Sequence, residues 1–370
     1  MRVLLIFTQT VCGTIEAYEM VLGLLENGVE VSVVLSNKVD NKDDWLKIKC
    51  RLQNMYFIDT HSNKFNLFQK TIKFFLHRKK LIHDINGSSY DFIIDTMVNY
   101  WDYFIYSNVN TGKKAIIVHD PIAHSGASVL KQKIWEFQYK KADKLIVHTK
   151  KFIQVVNKLY GKSFDNIHYI PLIVHRKKIN NIESSEMKLT YLSRINFLFF
   201  GYISKYKGIE ILGKAFKLLE EKGYQDISLT VAGQGDFSEY NKIYSELKRV
   251  NIINRRITED EVNCLYSIKN VVNVAPYLDA TQSGVIATAL DFCVPIIATD
   301  VGGLREQLDD GNIGVLCNCS VQDLANKMEL FVKDKNLHSI ETNKIKKYIH
   351  NISRDNVCKK LIQELTQNVD

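Results

Sequence analysis

Short apolar runs alternate with helical patterns along the whole chain, and this alternation limits the possible folds more than any other feature. Each run has the length of one strand, and the segments between the runs repeat apolar residues at helical spacing. Such a chain predicts parallel sheets with helices on both faces. The first series of predicted strands is Val3 to Phe7, Val29 to Leu35, Phe92 to Asp95, Ala115 to Val118 and Leu145 to Val147. The second series is Phe197 to Phe200, Leu229 to Ala232, Val271 to Val274, Ile296 to Ala298 and Gly314 to Leu316.

Two series of strands predict two domains, and 370 residues are enough chain for both. We place the first domain at residues 1–175, because Pro171 marks its end, and the second at residues 176–345. The polar stretch from Lys177 to Lys188 lacks periodicity, so it is either the interdomain connection or a surface loop beside it. Ligands of doubly wound sheets bind beyond the carboxyl ends of the strands, which directs attention to the loops that follow them.

Composition excludes several classes of protein. With 46% hydrophobic and 24% charged residues, the chain is neither disordered nor fibrous. No apolar run approaches the ~20 residues of a membrane span, and the apolar start is too short for a signal peptide, so we predict a cytoplasmic protein. The seven cysteines lack disulfide or zinc-site spacing, which predicts reduced thiols. Nothing resembles a nucleic-acid-binding motif.

Positive charge is concentrated in the first half of the chain. Residues 1–175 carry 23 Lys and Arg against 16 Asp and Glu, a net charge of +7, whereas the remainder carries +1 of the total +8. Much of the excess lies from Lys64 to Lys80, where aromatic and aliphatic residues recur at helical spacing opposite a basic face. Such a helix either lies on an anionic membrane or faces the core with solvated lysines.

Residues 271–303 contain the strongest candidate for a ligand site. Two predicted strands flank a short helical pattern that opens on Ser283 and Gly284. A helix start at the carboxyl end of a strand points unpaired N–H groups and a positive dipole at the crevice. Gly284 lets a phosphate approach the backbone, and Ser283 can cap the helix or donate to an oxygen. The alternative is an ordinary strand–turn–helix connection with a capping serine.

The loop after the first predicted strand contains one glycine, Gly13, where a dinucleotide fingerprint needs three. A Rossmann dehydrogenase is therefore disfavoured. Gly13 either lets the backbone approach a ligand or makes a simple tight turn.

Three loops of the second domain carry further candidates. Gly201 ends a predicted strand, and Lys207 follows at a predicted helix start, where a cation opposes the dipole unless an anion joins it. We therefore predict that Lys207 faces a phosphate. Gly233 permits close approach after the next strand. Arg256 either flanks a nucleotide or lies on the surface, ahead of a helix that begins with a Thr258 capping box.

Five motifs in this order resemble the carboxyl-terminal half of family 4 glycosyltransferases, closely over about residues 195–320. The motifs are Phe200-Gly201, Tyr206 to Glu210, Val231 to Gly235, Gln282 to Val285 and Pro295 to Gly303. The resemblance implies an α/β fold of the GT-B type, in which two Rossmann-like doubly wound domains face each other across a cleft. It also implies an acceptor-binding first domain, a second domain that binds a nucleotide-diphosphate sugar, transfer with retention at the anomeric carbon, and no metal or other cofactor. Residues 346–370 contain a pattern, Ile352 to Leu365, that resembles the final helix of that fold, which crosses back onto the first domain.

The resemblance assigns donor-binding residues position by position. Lys207 falls on the family's diphosphate lysine, and Ser283 to Val285 fall on the backbone donors to the distal phosphate. The predicted donor-binding residues are Gly13, Gly201, Tyr202, Lys207, Gly233, Arg256, Gln282, Ser283, Gly284, Val285 and Glu306.

The first domain supplies the second predicted catalytic residue beside Lys207. His119 follows a predicted strand that Pro121 ends by forcing Asp120 out of helical geometry, and it resembles the family's histidine beside the reacting sugar carbon. Its imidazole orients a donor hydroxyl or the acceptor, or else it is a strand-end histidine bonded to nearby backbone. Asp120 and His124 are predicted to line the acceptor side.

The chain departs from the family pattern at three positions. Tyr202 stands where members commonly carry an arginine after the glycine that matches Gly201, which removes one positive charge from the diphosphate site. Ala280 and Thr288 stand where members frequently carry glutamates, and Glu306 is the nearest remaining carboxylate in sequence. Glu306 either contacts a ribose or sugar hydroxyl or is a helix-start charge.

The predicted function is transfer of a sugar from a nucleotide-diphosphate sugar to a hydroxyl of a glycan acceptor. The basic first domain favours a lipid-linked acceptor in surface polysaccharide synthesis, and peripheral association with the inner face of the cell membrane. Two alternatives remain: a sugar-nucleotide epimerase of the same fold, and a non-catalytic subunit that binds a sugar nucleotide.

Overall fold

The structure is a computed structural model that describes residues 1–11, 13–60, 67–121, 129–173 and 189–367. The chain divides into two compact units: unit 1 is Met1–Ile173 with Arg354–Asp370, and unit 2 is Val174–Ser353. The first division falls close to the sequence-based boundary at residue 175. Unit 1 resumes at Arg354, later than the expected residue 346, because the helix Leu337–Tyr348 belongs to unit 2. The stretch from Lys177 to Lys188 lies outside the described residues.

Unit 1 is built around one parallel sheet. Its strands are β1 (Arg2–Phe7), β2 (Glu30–Ser36), β3 (Asn54–Ile58), β4 (Phe92–Asp95), β5 (Lys113–Val118), β6 (Lys144–Val147) and β7 (Ile167–Tyr169). The helices between them are α1 (Thr14–Glu26), α2 (Lys42–Lys47), α3 (Leu67–Asn86), α4 (Tyr100–Tyr106), α5 (Val129–Lys141) and α6 (Lys151–Tyr160). The strand order is β3-β2-β1-β4-β5-β6-β7. Strand β1 lies inside the sheet with its apolar residues fully buried, as a continuous apolar run requires.

Unit 2 repeats this architecture. Its strands are β8 (Ile195–Phe200), β9 (Ile227–Ala232), β10 (Val250–Ile253), β11 (Val271–Ala275), β12 (Ile296–Thr299) and β13 (Val315–Cys317). Its helices are α7 (Ile209–Glu221), α8 (Asn241–Ser245), α9 (Glu259–Tyr266), α10 (Gly284–Asp291), α11 (Leu304–Gln307), α12 (Val321–Lys333) and α13 (Leu337–Tyr348). The strands pair in parallel in the order β10-β9-β8-β11-β12-β13.

The strands that the sequence predicted are present, and β3, β7 and β10 are additional. Strand β3 is a mostly half-buried edge strand, β7 is three residues long, and β10 is an edge strand with a mixed pattern. Helix α10 ends at Asp291, and Cys293 lies beyond it with a φ of 55°. The capping box at the start of α9 is formed as predicted, with Thr258 and Glu261 side chains bonded to each other's backbone N–H.

The basic segment from Lys64 to Lys80 extends from residues outside the described part of the chain into α3. Phe74 is buried in the core of unit 1 and Phe75 packs against it, whereas Leu76 is 73% exposed. The described part of α3 therefore turns Phe74 and Phe75 toward the core of unit 1 and leaves Leu76, Lys79 and Lys80 in solvent. None of the described helices combines the length and apolar character that crossing a membrane requires.

The C-terminal helix α14 (Arg354–Thr366) packs against α1 within unit 1. This close approach requires Gly23, because a Cβ there would lie 2.5 Å from a cysteine sulfur of α14. Arg354 pairs with acidic residues of α1, and at the other end of the helix Lys144 Nζ donates to the carbonyl oxygen of Glu364 (2.7 Å). The final helix therefore returns to the first unit, as predicted.

Candidate functional site

The loops that follow β8, β9, β11 and β12 meet at one edge of the unit 2 sheet, because parallel strands bring their carboxyl ends to the same side. Backbone hydrogen bonds join these loops to their neighbours. The N–H of Gly201 donates to the carbonyl oxygen of Ala232 (3.0 Å), and the N–H of Leu278 donates to that of Tyr206 (2.7 Å). The structure thus brings together four of the five motifs that carry the predicted donor residues, and the fifth begins α10 beside them.

Two of the predicted glycines have different roles. Gly233 has a φ of 154°, and a Cβ there would lie 1.8 Å from the carbonyl oxygen of Gly201, so this glycine permits two loops to touch. Gly284 is exposed at the start of α10, and a Cβ there would meet nothing within 4 Å. The open backbone surface therefore lies at Gly284, whereas Gly233 shapes the loops beside it.

The start of α10 is held by side chains on both sides of the chain. Ser283 Oγ caps the helix by accepting the N–H of Ile286 (3.3 Å). Gln307 accepts the N–H of Ser283 through Oε1 (2.9 Å) and donates from Nε2 to the carbonyl oxygen of Ser283 (2.8 Å). Of the three predicted backbone donors, the N–H of Ser283 is bonded to Gln307, whereas those of Gly284 and Val285 lie in the first turn of α10, where N–H groups have no acceptor within the helix.

Lys207 lies at the end of a short 3-10 turn that precedes α7. Its Nζ sits 3.6 Å from the ring centroid of Tyr277 and 5.0 Å from that of Tyr206, within cation–π distance of both. Burial lowers the pKa of Lys207 to about 8. Within the described ranges, no carboxylate lies at ion-pair distance from it. This is a partly buried cation without an acid of its own.

Tyr277, in the loop after β11, connects Lys207 to α10. Its side chain is fully buried, and its hydroxyl lies 3.1 Å from Ser283 Oγ. Thr299 Oγ1 donates to its backbone carbonyl oxygen (2.6 Å), which fixes the loop against β12. Burial raises the pKa of Tyr277 well above its usual range, so the phenol stays neutral. The sequence analysis identified neither Tyr277 nor Gln307. The available signal for Tyr277 was its place directly after Pro276, at the end of β11.

Four other predicted donor residues lie in loops and helices of unit 2. Tyr202 is 64% exposed in the loop after β8. Arg256 is exposed and follows the edge strand β10, so β9 and β8 lie between that strand and β11. Glu306 lies on α11, and Gln282 is partly buried directly before Ser283.

Ala280 and Thr288, which stand where the family frequently carries glutamates, take part in hydrogen bonds that hold the backbone of this region. Ala280 is buried, and its carbonyl oxygen accepts the N–H of Gly303 (3.1 Å), which joins the loop after β11 to the loop after β12. Thr288 Oγ1 donates to the carbonyl oxygen of Gly284 inside α10 (3.0 Å). Neither position supplies an acid or a base.

In unit 1, the predicted residue His119 belongs to a cluster at the carboxyl ends of the strands. Its Nε2 lies 2.8 Å from the carbonyl oxygen of Thr96 and 3.8 Å from Glu16 Oε2. Glu16 Oε1 lies 2.8 Å from Nε2 of His148, whose Nδ1 lies 2.7 Å from the carbonyl oxygen of Ile170. Gly13 forms the N-cap of α1, one turn before Glu16.

The surroundings of Glu16 and His148 favour the charged form of each. Burial alone would raise the pKa of Glu16, but His119 and His148 outweigh it and lower that pKa. Burial likewise opposes the charge on His148, and Glu16 outweighs it and raises the pKa of the imidazole. The sequence analysis missed both partners, although each lies in a segment that follows a strand. Glu16 lies in the first turn of α1, the helix after β1, and His148 directly follows β6.

Glu16, His119 and His148 are also the group that could hold a metal ion within the described residues, since their ligand atoms lie within 4.8 Å of one another. The geometry favours an imidazole–carboxylate cluster instead. His119 Nε2 faces a carbonyl oxygen, which requires a proton on that nitrogen, and Glu16 already pairs with His148. Of the predicted acceptor residues, Asp120 is partly buried beside His119, and His124 lies outside the described residues.

Comparison with known proteins identifies the class. The family model "Glycosyl transferases group 1" matches residues 182–351, which span most of unit 2. An uncharacterized glycosyltransferase of Methanocaldococcus jannaschii is 23% identical over 303 residues, 78% of this chain and 75% of that protein.

Solved structures match the whole fold. Sucrose-phosphate synthase of Thermosynechococcus elongatus is similar with a TM-score of 0.73 at 16% identity, covering 98% of this chain and 97% of the other. HepE of Anabaena, solved with UDP and glucose, is similar with a TM-score of 0.72 at 13% identity, covering 99% of both chains. The chain is a glycosyltransferase with the GT-B fold. Its second unit carries the group 1 glycosyl transferase domain.

Proposed function

We propose that this glycosyltransferase moves a sugar from a nucleotide-diphosphate sugar to a hydroxyl of a glycan acceptor, with retention at the anomeric carbon. The observation that carries the donor assignment is Lys207. A desolvated ammonium without a carboxylate destabilises the free protein, and an anionic ligand removes that cost.

The start of α10 provides the second part of a diphosphate site. The N–H groups of Gly284 and Val285, with the positive end of the helix dipole, add to the charge of Lys207. During transfer, negative charge grows on the departing nucleotide diphosphate. A fixed cation and preoriented N–H groups stabilise that developing charge without reorganisation, which is where electrostatic catalysis acts.

His119 is proposed as the residue of unit 1 that orients a donor hydroxyl or the acceptor. Its Nε2 lies 2.8 Å from the carbonyl oxygen of Thr96, which fixes the orientation of the ring. Because Ala280 and Thr288 replace the family's glutamates, we favour attack on the same face through an oxocarbenium-like state over a covalent double displacement. The His119→Ala variant should lose transfer while it keeps its affinity for the nucleotide diphosphate.

The donor is proposed to be a UDP sugar first, because UDP is the nucleotide in the similar Anabaena structure. Lys207 and α10 supply the positive charge that a metal would otherwise provide, so transfer should persist in EDTA. A thermal-shift screen with UDP, GDP and ADP sugars tests the base, since a true donor stabilises the fold by mass action.

The acceptor is proposed to be lipid-linked, with the enzyme peripheral at the cytoplasmic face of the membrane in surface polysaccharide synthesis. Support comes from the net charge of +7 in residues 1–175 and from exposed Leu76 beside exposed lysines on α3. Binding to anionic vesicles should fall when Lys79 and Lys80 are both changed to Glu. Unchanged vesicle binding would contradict the membrane assignment.

One assay separates this function from its alternatives: a panel of sugar nucleotides incubated with and without a lipid-linked glycan acceptor. A transferase releases the nucleotide diphosphate and extends the acceptor when both are present. An epimerase converts the sugar without acceptor, and a binding subunit shows a thermal shift without turnover. Either of the last two outcomes would overturn the proposed function.

A further inference from the structure

Two parts of the proposed diphosphate site come from separate segments of unit 2, and one side chain touches both. Lys207 precedes α7, whereas Ser283 begins α10. The ring of Tyr277 lies under the ammonium of Lys207 at 3.6 Å, and its hydroxyl lies 3.1 Å from Ser283 Oγ. Lys207 and the α10 cap are therefore each held by the same fully buried aromatic residue.

We propose that Tyr277 is a positioning residue that fixes Lys207 and the start of α10 relative to each other, so that both meet the same diphosphate. This inference rests on the proposed donor site. It adds a residue that touches neither the sugar nor the phosphate but acts through two groups that do.

The face of the ring serves Lys207. A lysine side chain with no acid to direct it has many rotamers, and ordering it on binding reduces affinity. The cation–π contact with Tyr277 holds the ammonium in one place while leaving its N–H donors unused by carboxylates. The ring centroid of a second aromatic residue, Tyr206, lies 5.0 Å from the ammonium, and Tyr206 is 41% exposed, so it provides a weaker contact.

The hydroxyl serves α10. Ser283 Oγ already accepts the N–H of Ile286, and the bond to Tyr277 fixes the hydroxyl in that capping orientation. Gln307 holds the backbone of the same serine from the opposite side. These contacts on both sides of Ser283 hold the cap in place. They therefore also hold the first turn of α10, which carries the N–H groups of Gly284 and Val285.

The backbone of Tyr277 is itself held by hydrogen bonds, which keeps the ring at a fixed position in the loop. Thr299 at the end of β12 donates to its carbonyl oxygen, and the next residue, Leu278, donates its N–H to Tyr206 beside Lys207. Movement of this backbone segment would break hydrogen bonds to both neighbouring loops.

Two substitutions separate the ring from the hydroxyl. Tyr277→Phe keeps the face under Lys207 and removes the bond to Ser283, and it should weaken the affinity for a nucleoside diphosphate by about threefold to tenfold. Tyr277→Leu removes both contacts and should weaken it by about 30-fold. The matched control is Tyr266→Phe, which removes an equally buried hydroxyl, bonded to Asn273 Oδ1 at 2.9 Å, outside the site.

Double-mutant cycles distinguish positioning from a general loss of structure. UDP, GDP and ADP are titrated into the full-length protein by calorimetry, and the variants are compared with the diphosphate that binds most tightly. Tyr277→Phe should have no further effect in a Ser283→Ala background, and Tyr277→Leu should have no more than the threefold-to-tenfold effect of Tyr277→Phe in a Lys207→Met background. Thermal unfolding without ligand is recorded for each variant; if Tyr277→Leu fails to fold, the Tyr277→Phe cycle alone decides.

The outcomes separate the two proposals. If none of the three diphosphates binds the unchanged protein, the proposed donor site is wrong and this inference falls with it. If one binds, and Tyr277→Phe behaves like Tyr266→Phe or its effect simply adds to that of Ser283→Ala, the inference is overturned while the donor site stands. Coupling in the cycles, with the affinity of the Tyr266→Phe control unchanged, supports Tyr277 as the positioning residue.

Discussion

Unit 1 and unit 2 hold their functional charges in opposite ways. In unit 1, Glu16 and His148 form a buried ion pair beside His119, with 2.8 Å between the charged atoms. In unit 2, the ammonium of Lys207 lies over Tyr277, and no carboxylate of the described chain reaches it. In unit 1, the cost of taking each charge out of water is offset by the opposite charge of its partner. In unit 2, no carboxylate of the described residues offsets that cost for Lys207.

On the proposed function, the difference separates charges that stabilise the fold from a charge that binds a ligand. The Glu16–His148 pair is complete before any ligand arrives, so its first contribution is to stability and to the orientation of His119. Burial lowers the pKa of Lys207, and on the proposed function this ammonium gains an anionic partner only when the nucleotide binds. Substitutions should therefore affect stability in unit 1 and ligand binding in unit 2.

The largest expected effect is that of Lys207→Met. Loss of the cation should reduce transfer by about 100-fold or more, by analogy with removal of one donor to a developing negative charge. The unfolding temperature without ligand should stay the same or rise, because a desolvated charge has been replaced by an apolar group. Initial rates with a sugar nucleotide, together with thermal unfolding, measure both.

Lys214→Met is the matched control for this substitution, since Lys214 is an exposed lysine on α7 that pairs with Glu210. It should leave transfer unchanged. Near-normal transfer by Lys207→Met, or a clear loss of its stability without ligand, would contradict the view that Lys207 is reserved for an anion.

Glu16→Gln should have the opposite signature. It removes the anion from a buried pair and should lower the free energy of unfolding by about 2 kcal/mol. The pKa of Glu16 is lowered from 4.5, so its contribution to stability is present above that pH and is lost as the pH falls through the folded value. The pKa of His148 is raised from 6.5, so its contribution is present below that pH and is lost as the pH rises through the folded value.

The stabilisation from this pair is therefore greatest between about pH 4.5 and 6.5, from the two ordinary pKa values. Denaturant unfolding across that range should show this dependence in the unchanged protein and its loss in Glu16→Gln. The control is Asp43→Asn on α2, which should leave this pH dependence unchanged. Glu26, the exposed acid of α1, is unsuitable as a control because it pairs with Arg354. An unchanged pH profile in Glu16→Gln would show that the pair does not stabilise unit 1.

The pH dependence of nucleotide binding should mirror the difference between the units. Burial lowers the pKa of Lys207 to about 8, so the ammonium that attracts the diphosphate loses its proton as the pH rises through that value. Between pH 7.5 and 9 the affinity for a nucleoside diphosphate should fall by up to about tenfold, and Lys207→Met should not show this fall. Calorimetric titration at several pH values tests this, and a flat profile in the unchanged protein would rule out Lys207 as the titrating contact.

The sequence predicted the parts of this molecule that depend on local patterns. Alternating apolar runs predicted most strands of both sheets, and the glycosyltransferase class and the GT-B fold are confirmed by the comparisons. The capping box at Thr258 is likewise a local pattern, and it is formed. The role of Lys207 stays a prediction, although its placement without an acid agrees with the reason for choosing it.

Contacts between distant segments could not be predicted in this way. Gln307 clamps Ser283 from 24 residues away, and nothing in either motif indicates that bond. Glu16 and His148 belong to different strand-end loops, so their pairing depends on the order of β1, β4, β5 and β6 in the sheet. Strand β10 was missed for a similar reason, since an edge strand is specified by the strand it pairs with as much as by its own residues.

The smallest expected effect tests whether burial or ion pairing determines how much a charged pair contributes to the free energy of unfolding. Glu210 and Lys214 form an ion pair on the exposed face of α7, at 2.5 Å, with about half of each side chain in solvent. Its geometry is as close as that of the Glu16–His148 pair, but water already solvates both charges. Lys214→Gln should therefore change the free energy of unfolding by only about 0.3 kcal/mol, measured by denaturant titration at low salt. A loss comparable to that of Glu16→Gln would mean that pairing itself, independent of burial, stabilises both units, and the reserved charge of Lys207 would then need another explanation.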